Sequence, residues 1–212
     1  MIILSADFKN ILLNISDAIG KNVNYLTELD AEIGDGDHGA NMEKGFKKIK
    51  QQLMASETQD GGEMLIIAGK VLLNEIGGAM GPLYGGGLVK AGVALKGKSS
   101  FDKNDILTLF SSMLESIKSL GGAKIGDKTM VDTLKPFVSE YGKAIPELEL
   151  PEAFEKALRS AKEGMLSTKD IISRIGRSSR LLERSKGHID VGAASSYIIL
   201  ESFYKSITLL LN

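Results

Sequence analysis

Apolar residues recur at helical spacing along almost the whole chain. Phe8, Ile11, Leu12, Ile15, Ile19, Val23 and Leu26 stand three or four positions apart and predict one long amphipathic helix. Met42, Phe46, Ile49 and Leu53 repeat the stripe. The stretch from Met64 to Ile76 is apolar nearly all round, which predicts a buried helix, and another runs from about Pro82 to Leu95. Ile106, Phe110, Met113, Ile117 and Leu120 mark the next, then Met130, Leu134, Phe137 and Tyr141, with Pro136 expected to kink it. Pro151 falls at a first helical position ahead of Phe154, Leu158, Ala161 and Met165. Ala194, Tyr197, Ile198, Tyr204 and Ile207 form the last stripe. No alternating strand pattern of useful length appears. The pattern predicts an all-α bundle of about eight helices, a single domain over 1–212 without internal repeat. Such stripes describe a core, so function is sought in the loops between them.

Composition narrows the chemistry. There are no cysteines and only two histidines, His38 and His188, so cysteine-ligated and His-rich metal sites are excluded. Lys+Arg is 26 and Asp+Glu 27, which lacks the global basic footprint of a nucleic-acid binder. The absence of an 18-residue apolar run argues against a membrane span, and the first residues lack a signal-peptide pattern, so a cytoplasmic protein is expected. Glycine is the outlier, at 24 residues, with seven between Gly77 and Gly92 and four between Gly34 and Gly45. Clustering of this kind suggests close backbone approach rather than a flexible linker.

Four loops carry candidate chemistry. In Leu29–Met42, Asp30, Asp35 and Asp37 lie within eight residues with glycines between them. Three carboxylates this close repel unless a cation neutralises them, and an all-oxygen set selects Mg²⁺ or Ca²⁺. The plainer reading is a solvated acidic turn with helix-capping aspartates. Gly34, Gly36 and Gly39 match a dinucleotide fingerprint in letters, but a helix precedes them instead of a strand. An EF-hand starting at Asp35 fails because Gly39 and Ala40 stand where an oxygen ligand and a glycine are required. The segment Gly77–Gly87 opens onto a helix start, where free N–H groups suit phosphate; tight helix packing explains its glycines equally well. Gly121–Met130 is a near miss to a P-loop, with Asp127 intruding before Lys128 and Thr129, yet it offers a lysine and a hydroxyl at a helix start. The fourth loop joins Gly176–Arg180 to Glu183–Ser196, with arginines fit for an anion and Asp190 placed as a cap.

In order and spacing these segments (LDAEIGDGDHGANM, GGAMGPLYG, GDKTMVD, and GR followed by ERSKGHIDVGAASS) resemble the nucleotide-binding L subunit of dihydroxyacetone kinase, in the form that depends on the phosphotransferase system. The resemblance covers nearly the entire chain. It implies an antiparallel eight-helix barrel with ADP or ATP at one open end and two Mg²⁺ ions held by Asp30, Asp35 and Asp37. It places His38, Gly39, Ala40, Asn41, Ala79, Met80, Gly121, Met130, Arg177, Asp190, Val191 and Gly192 at nucleotide-contacting positions, with Arg177 and the three aspartates catalytic. The implied partners are a K subunit holding dihydroxyacetone and a phosphotransferase-system M subunit as phosphoryl donor, with a homodimer as one assembly. The chain departs from the family at Met80, where a serine is usual, at Ser178-Ser179-Arg180 for Ala-Ser-Tyr, and at Asp190-Val191-Gly192 for Asp-Pro-Gly. The expected function is therefore a phosphotransferase subunit. The alternatives are a kinase subunit for another small ketose or polyol, or a non-catalytic nucleotide- or metal-sensing module.

Overall fold

The computed structural model describes residues 1–211. The chain begins with a two-residue strand, β1 (Ile3–Leu4), and continues through α1 (Ser5–Lys21), α2 (Val23–Ile33), α3 (His38–Ala55) and α4 (Gly61–Glu75). A π-helical turn, Gly81–Gly85, runs directly into α5 (Gly86–Ala94). Then come β2 (Ser100–Phe101), α6 (Lys103–Gly121), α7 (Val131–Ala144), α8 (Leu150–Ser167) and α9 (Val191–Leu209). The two strands pair antiparallel, Ile3 opposite Phe101, and tie the start of the chain to the α5–α6 connection.

Sequential packing closes a ring. α1 lies against α3, α3 against α4, and so on through α5, α6, α7 and α8 to α9, which returns to α1. That is an eight-helix barrel with one helix added. The extra helix arises because the predicted stripe from Phe8 to Leu26 is broken at Asn22, and α2 turns away to rest on α3 and α9. The interior is apolar, and aromatic side chains occupy one part of it. Phe110, Phe137, Phe154 and Phe203 pack edge-on or stacked at 4.8–5.9 Å between ring centroids, the spacing that aromatic quadrupoles favour.

Several sequence signals are realised as chemistry. Asp60 caps α4 by accepting from the N–H groups of Gly62 and Glu63, and Asp102 and Asp105 form a capping box on α6. Pro151 lies in the first turn of α8 as expected. Pro136 does not interrupt α7. Proline cannot donate to the Asp132 carbonyl one turn earlier, and α8 presses Gly164 against that carbonyl, where any Cβ would collide. Among the described residues no helix is long and apolar enough to cross a membrane.

Candidate functional site

The barrel brings all four loops to one end. The start of α3 reaches the start of α9 through a hydrogen bond between His38 Nε2 and Ser195 Oγ, at 3.0 Å. The π-helical turn reaches the same place through Tyr84, whose hydroxyl donates to the Gly192 carbonyl and lies 2.8 and 2.9 Å from the hydroxyls of Ser195 and Ser196. The start of α7 joins through Thr133, which donates to the Ala193 carbonyl, and through Met130, against whose Cβ a side chain at Gly192 would press. Four helix starts therefore converge, and each turns the positive end of its dipole, roughly +0.5 of an elementary charge, toward this end of the barrel.

Facing them is the acidic turn between α2 and α3. One oxygen from each of Asp30, Asp35 and Asp37 can lie within 4.8 Å of the others. Asp30 is buried at the end of α2 and accepts from the N–H groups of Asp37 (2.9 Å) and His38 (3.2 Å), which folds the turn back over it. Gly34 is required there, because a Cβ would strike the Asp30 carboxylate. Asp37 occupies the N-cap of α3 but makes no capping bond, unlike Asp60, Asp102 and Asp190. The helix-capping explanation of this turn thus fails for Asp37. A cluster of three carboxylate oxygens, two of its members exposed, is a donor set that fits a hard divalent cation. Arg177, at the start of a 3₁₀ segment (Arg177–Ser185), ion-pairs with Asp35, and His188 lies 2.7 Å from Glu32.

The other predicted positions fall around this mouth in different ways. Ala79 and Met80 precede the π-helical turn, with Ala79 exposed and Met80 half-buried, its side chain packed on the core. Gly77 and Gly78 are open, Gly78 in the left-handed region at φ +65°, whereas Gly85 packs on the Gly69 carbonyl of α4, and Gly92 on that of Gly62. The glycine-rich segment is thus part packing seam and part open loop. Gly121 ends α6, and Met130 is buried at the N-cap of α7. Asp190 caps α9 by accepting from Ala193 N–H at 2.7 Å, with Val191 and Gly192 half-buried beside it. Burial pushes the Asp190 carboxyl up to about 7, against the pull of Ala193 N–H and of Lys128. Gly39 is buried under α2, where a Cβ would strike the Val23 carbonyl and Thr27, while Ala40 is exposed and Asn41 half-buried.

The His38 ring is buried; burial lowers its pKa to about 4, so it is neutral near pH 7. Lys128, the cation of the P-loop near miss, is also turned inward and 1% exposed, donating to main-chain carbonyls. Tyr84, Ser195 and Ser196 went unnoticed in the sequence. Tyr84 reads there as one more apolar residue of a glycine-rich stretch, and serines at a helix start read as caps.

This end of the barrel defines a class: an all-helical domain with a three-carboxylate cluster, fit for a hard cation, set beside converging helix N-termini. The DAK2 domain family matches residues 32–205. The chain is 37% identical over 193 residues to the PEP-dependent dihydroxyacetone kinase, ADP-binding subunit DhaL of Escherichia coli, covering 91% of this chain and 92% of that one. It is 34% identical over 209 residues to the corresponding subunit of dihydroxyacetone kinase 2 of Listeria innocua, covering 96% and 97%. The fold matches the dihydroxyacetone kinase from C. freundii, whose structure was solved in complex with AMP-PNP and Mg²⁺, with a TM-score of 0.73 at 24% identity. That match spans 95% of this chain and 34% of the longer kinase. The chain belongs to the DAK2 domain family, as a DhaL-type subunit of the dihydroxyacetone kinases.

Proposed function

We propose that the whole chain is one phosphotransferase domain of the cytoplasm. It passes a phosphoryl group from a Mg²⁺-bound adenine nucleotide to dihydroxyacetone held on a partner K subunit, with resident ADP recharged by a phosphotransferase-system M subunit. The observation that carries this is the opposition of three carboxylates, Asp30, Asp35 and Asp37, to four converging helix N-termini. Neither half holds a polyphosphate alone: the carboxylates repel it, and the N-termini cannot neutralise it fully. The relatives named as ADP-binding subunits support the nucleotide.

Asp30, Asp35 and Asp37 would hold two Mg²⁺ ions, which supply charge neutralisation between carboxylate and phosphate oxygens. The N–H groups around Ala79 and Met80 and at Val191 orient the phosphates, with Asp190 and Gly192 shaping the turn beside them. His38 and Gly39 set the start of α3, so that Ala40 and Asn41 face the nucleotide. Gly121 and Met130 border it from α6 and α7. Arg177 is the one predicted cation that is both exposed and beside the acidic turn, suited to charge that develops on the transferring group. Phosphoryl transfer asks for positioning and neutralisation more than for covalent chemistry. Met80 in place of the usual serine leaves the main-chain donors in place, because its side chain packs on the core.

Reconstitution tests the proposal. Mixed with K and M partners, the phosphotransferase-system carriers that relay phosphate from phosphoenolpyruvate to M, phosphoenolpyruvate, Mg²⁺ and dihydroxyacetone, the protein is expected to produce dihydroxyacetone phosphate with catalytic ADP. No turnover with any small ketose under these conditions would contradict it.

A further inference from the structure

Lys128 combines three features that ordinary turn geometry does not explain. Its backbone is left-handed, φ +63°, a region that glycine enters freely and a lysine enters only at a cost. Its side chain is almost fully buried, rare for an ammonium group. The ammonium donates at 2.6 Å to the carbonyl of Thr168 and, by a short bond, to that of His188. These acceptors flank the excursion 168–190, which carries Arg177 and ends at Asp190. Other bonds draw the same two ends together: Gly187 N–H donates to the Lys169 carbonyl at 2.7 Å, and Asp190 N–H to Thr168 Oγ1 at 3.0 Å. The residue before Lys128 holds the excursion as well, since the Asp127 carbonyl accepts from Arg174 N–H.

We propose that Lys128 is a positioning residue: its ammonium clamps the base of the 168–190 excursion closed and so sets where Arg177 and Asp190 stand at the mouth. In the sequence this lysine stands at a helix start in a near miss to a P-loop; the geometry gives its ammonium to main-chain carbonyls. A positive φ at a buried lysine is retained because the side chain is needed at that point of the backbone. What Arg177 and Asp190 contact rests on the proposed function above, whereas the clamp itself does not.

Two variants separate the clamp from the turn. Lys128→Gly relieves the backbone and removes the ammonium, while Lys128→Arg keeps a charged donor. Hydrogen exchange by mass spectrometry, without nucleotide, is expected to show at least tenfold faster exchange across 169–190 in Lys128→Gly, unchanged rates in α4 and α5, and near wild-type protection in Lys128→Arg. Titration of Mg-ADP is expected to show at least tenfold weaker binding to Lys128→Gly. Adding Arg177→Ala to that variant should weaken it far less than the product of the two single effects, because both act on one contact. Wild-type exchange and affinity in Lys128→Gly would overturn the clamp, as would independent, multiplicative effects of Lys128→Gly and Arg177→Ala. If Lys128→Gly does not fold, Lys128→Arg decides: local protection retained supports the clamp, and exchange raised evenly over the chain overturns it. A wild-type protein that does not bind Mg-ADP contradicts the proposed function, while the exchange comparison still judges the clamp.

Discussion

Asp37 and Asp190 look alike in the sequence, each an aspartate at the start of a helix beside glycine. The structure separates them. Asp190 spends its carboxylate on its own helix, whereas Asp37 does not. Local sequence carries no sign of this difference, because the turn before α3 is folded back by Asp30 of the preceding helix, which accepts from the N–H groups of Asp37 and His38. Asp190 has a consequence for stability. Its carboxyl is raised to about 7 by burial, with Lys128 pulling it down and Asp132 pushing it up. A raised folded-state pKa gives stability that is full below the ordinary carboxyl value and is lost as pH rises through about 7. Asp190→Asn keeps a capping oxygen and cannot ionise. Urea unfolding is expected to show the variant gaining on wild type by about 1–2 kcal/mol between pH 5 and pH 8, a figure discounted for partial exposure. A constant difference over that range would mean that Asp190 ionises freely in the folded protein.

At the scale of elements, the barrel's helices were legible because their apolar faces repeat at 3.6 residues and their ends carry chemical marks such as Asp60, Asp102 and Pro151. The break at Asn22 was not, since the apolar stripe runs through it and masks Gly20, which stands in the last turn of α1. Pro136 lies inside α7, and the close approach of Gly164 to the Asp132 carbonyl joins positions too distant in sequence to be read locally. The polar network that joins α3, the π-helical turn and α9 was equally hidden, as it is made by residues distant in sequence. Tyr84 is its hub, fully buried, with its pKa pushed up to about 12 by desolvation. Tyr84→Phe keeps the ring and removes the hydroxyl, leaving the Ser195 and Ser196 hydroxyls and the Gly192 carbonyl short of a partner. The expected cost is about 1–3 kcal/mol in thermal or urea unfolding. It should be accompanied by weaker Mg-ADP binding, because Gly192 lies at the mouth. Unchanged stability and affinity would show that the three elements are held by packing alone.

For the whole molecule, the arrangement is a closed ring of helices with its apolar content turned inward and its chemistry gathered at one rim. Carboxylates come from one loop, helix starts from several elements, and Arg177 from another loop, where it pairs with Asp35. The four segments were visible in the sequence as separate weak motifs, and only the ring makes them one site. The most direct test is calorimetric titration of Mg-ADP into wild type and Asp37→Asn, with thermal melts of both proteins in the absence of ligand. Asp37 makes no capping bond and its charge repels those of Asp30 and Asp35, so the substitution is expected to leave the ligand-free melt unchanged or raised. Mg-ADP should bind wild type, raising its stability by about 2.7 kcal/mol at a hundredfold excess over the dissociation constant. Binding to Asp37→Asn should be weakened at least a hundredfold. Equal affinity in the two proteins would contradict the account, because the acidic turn would then be no part of a metal-nucleotide site.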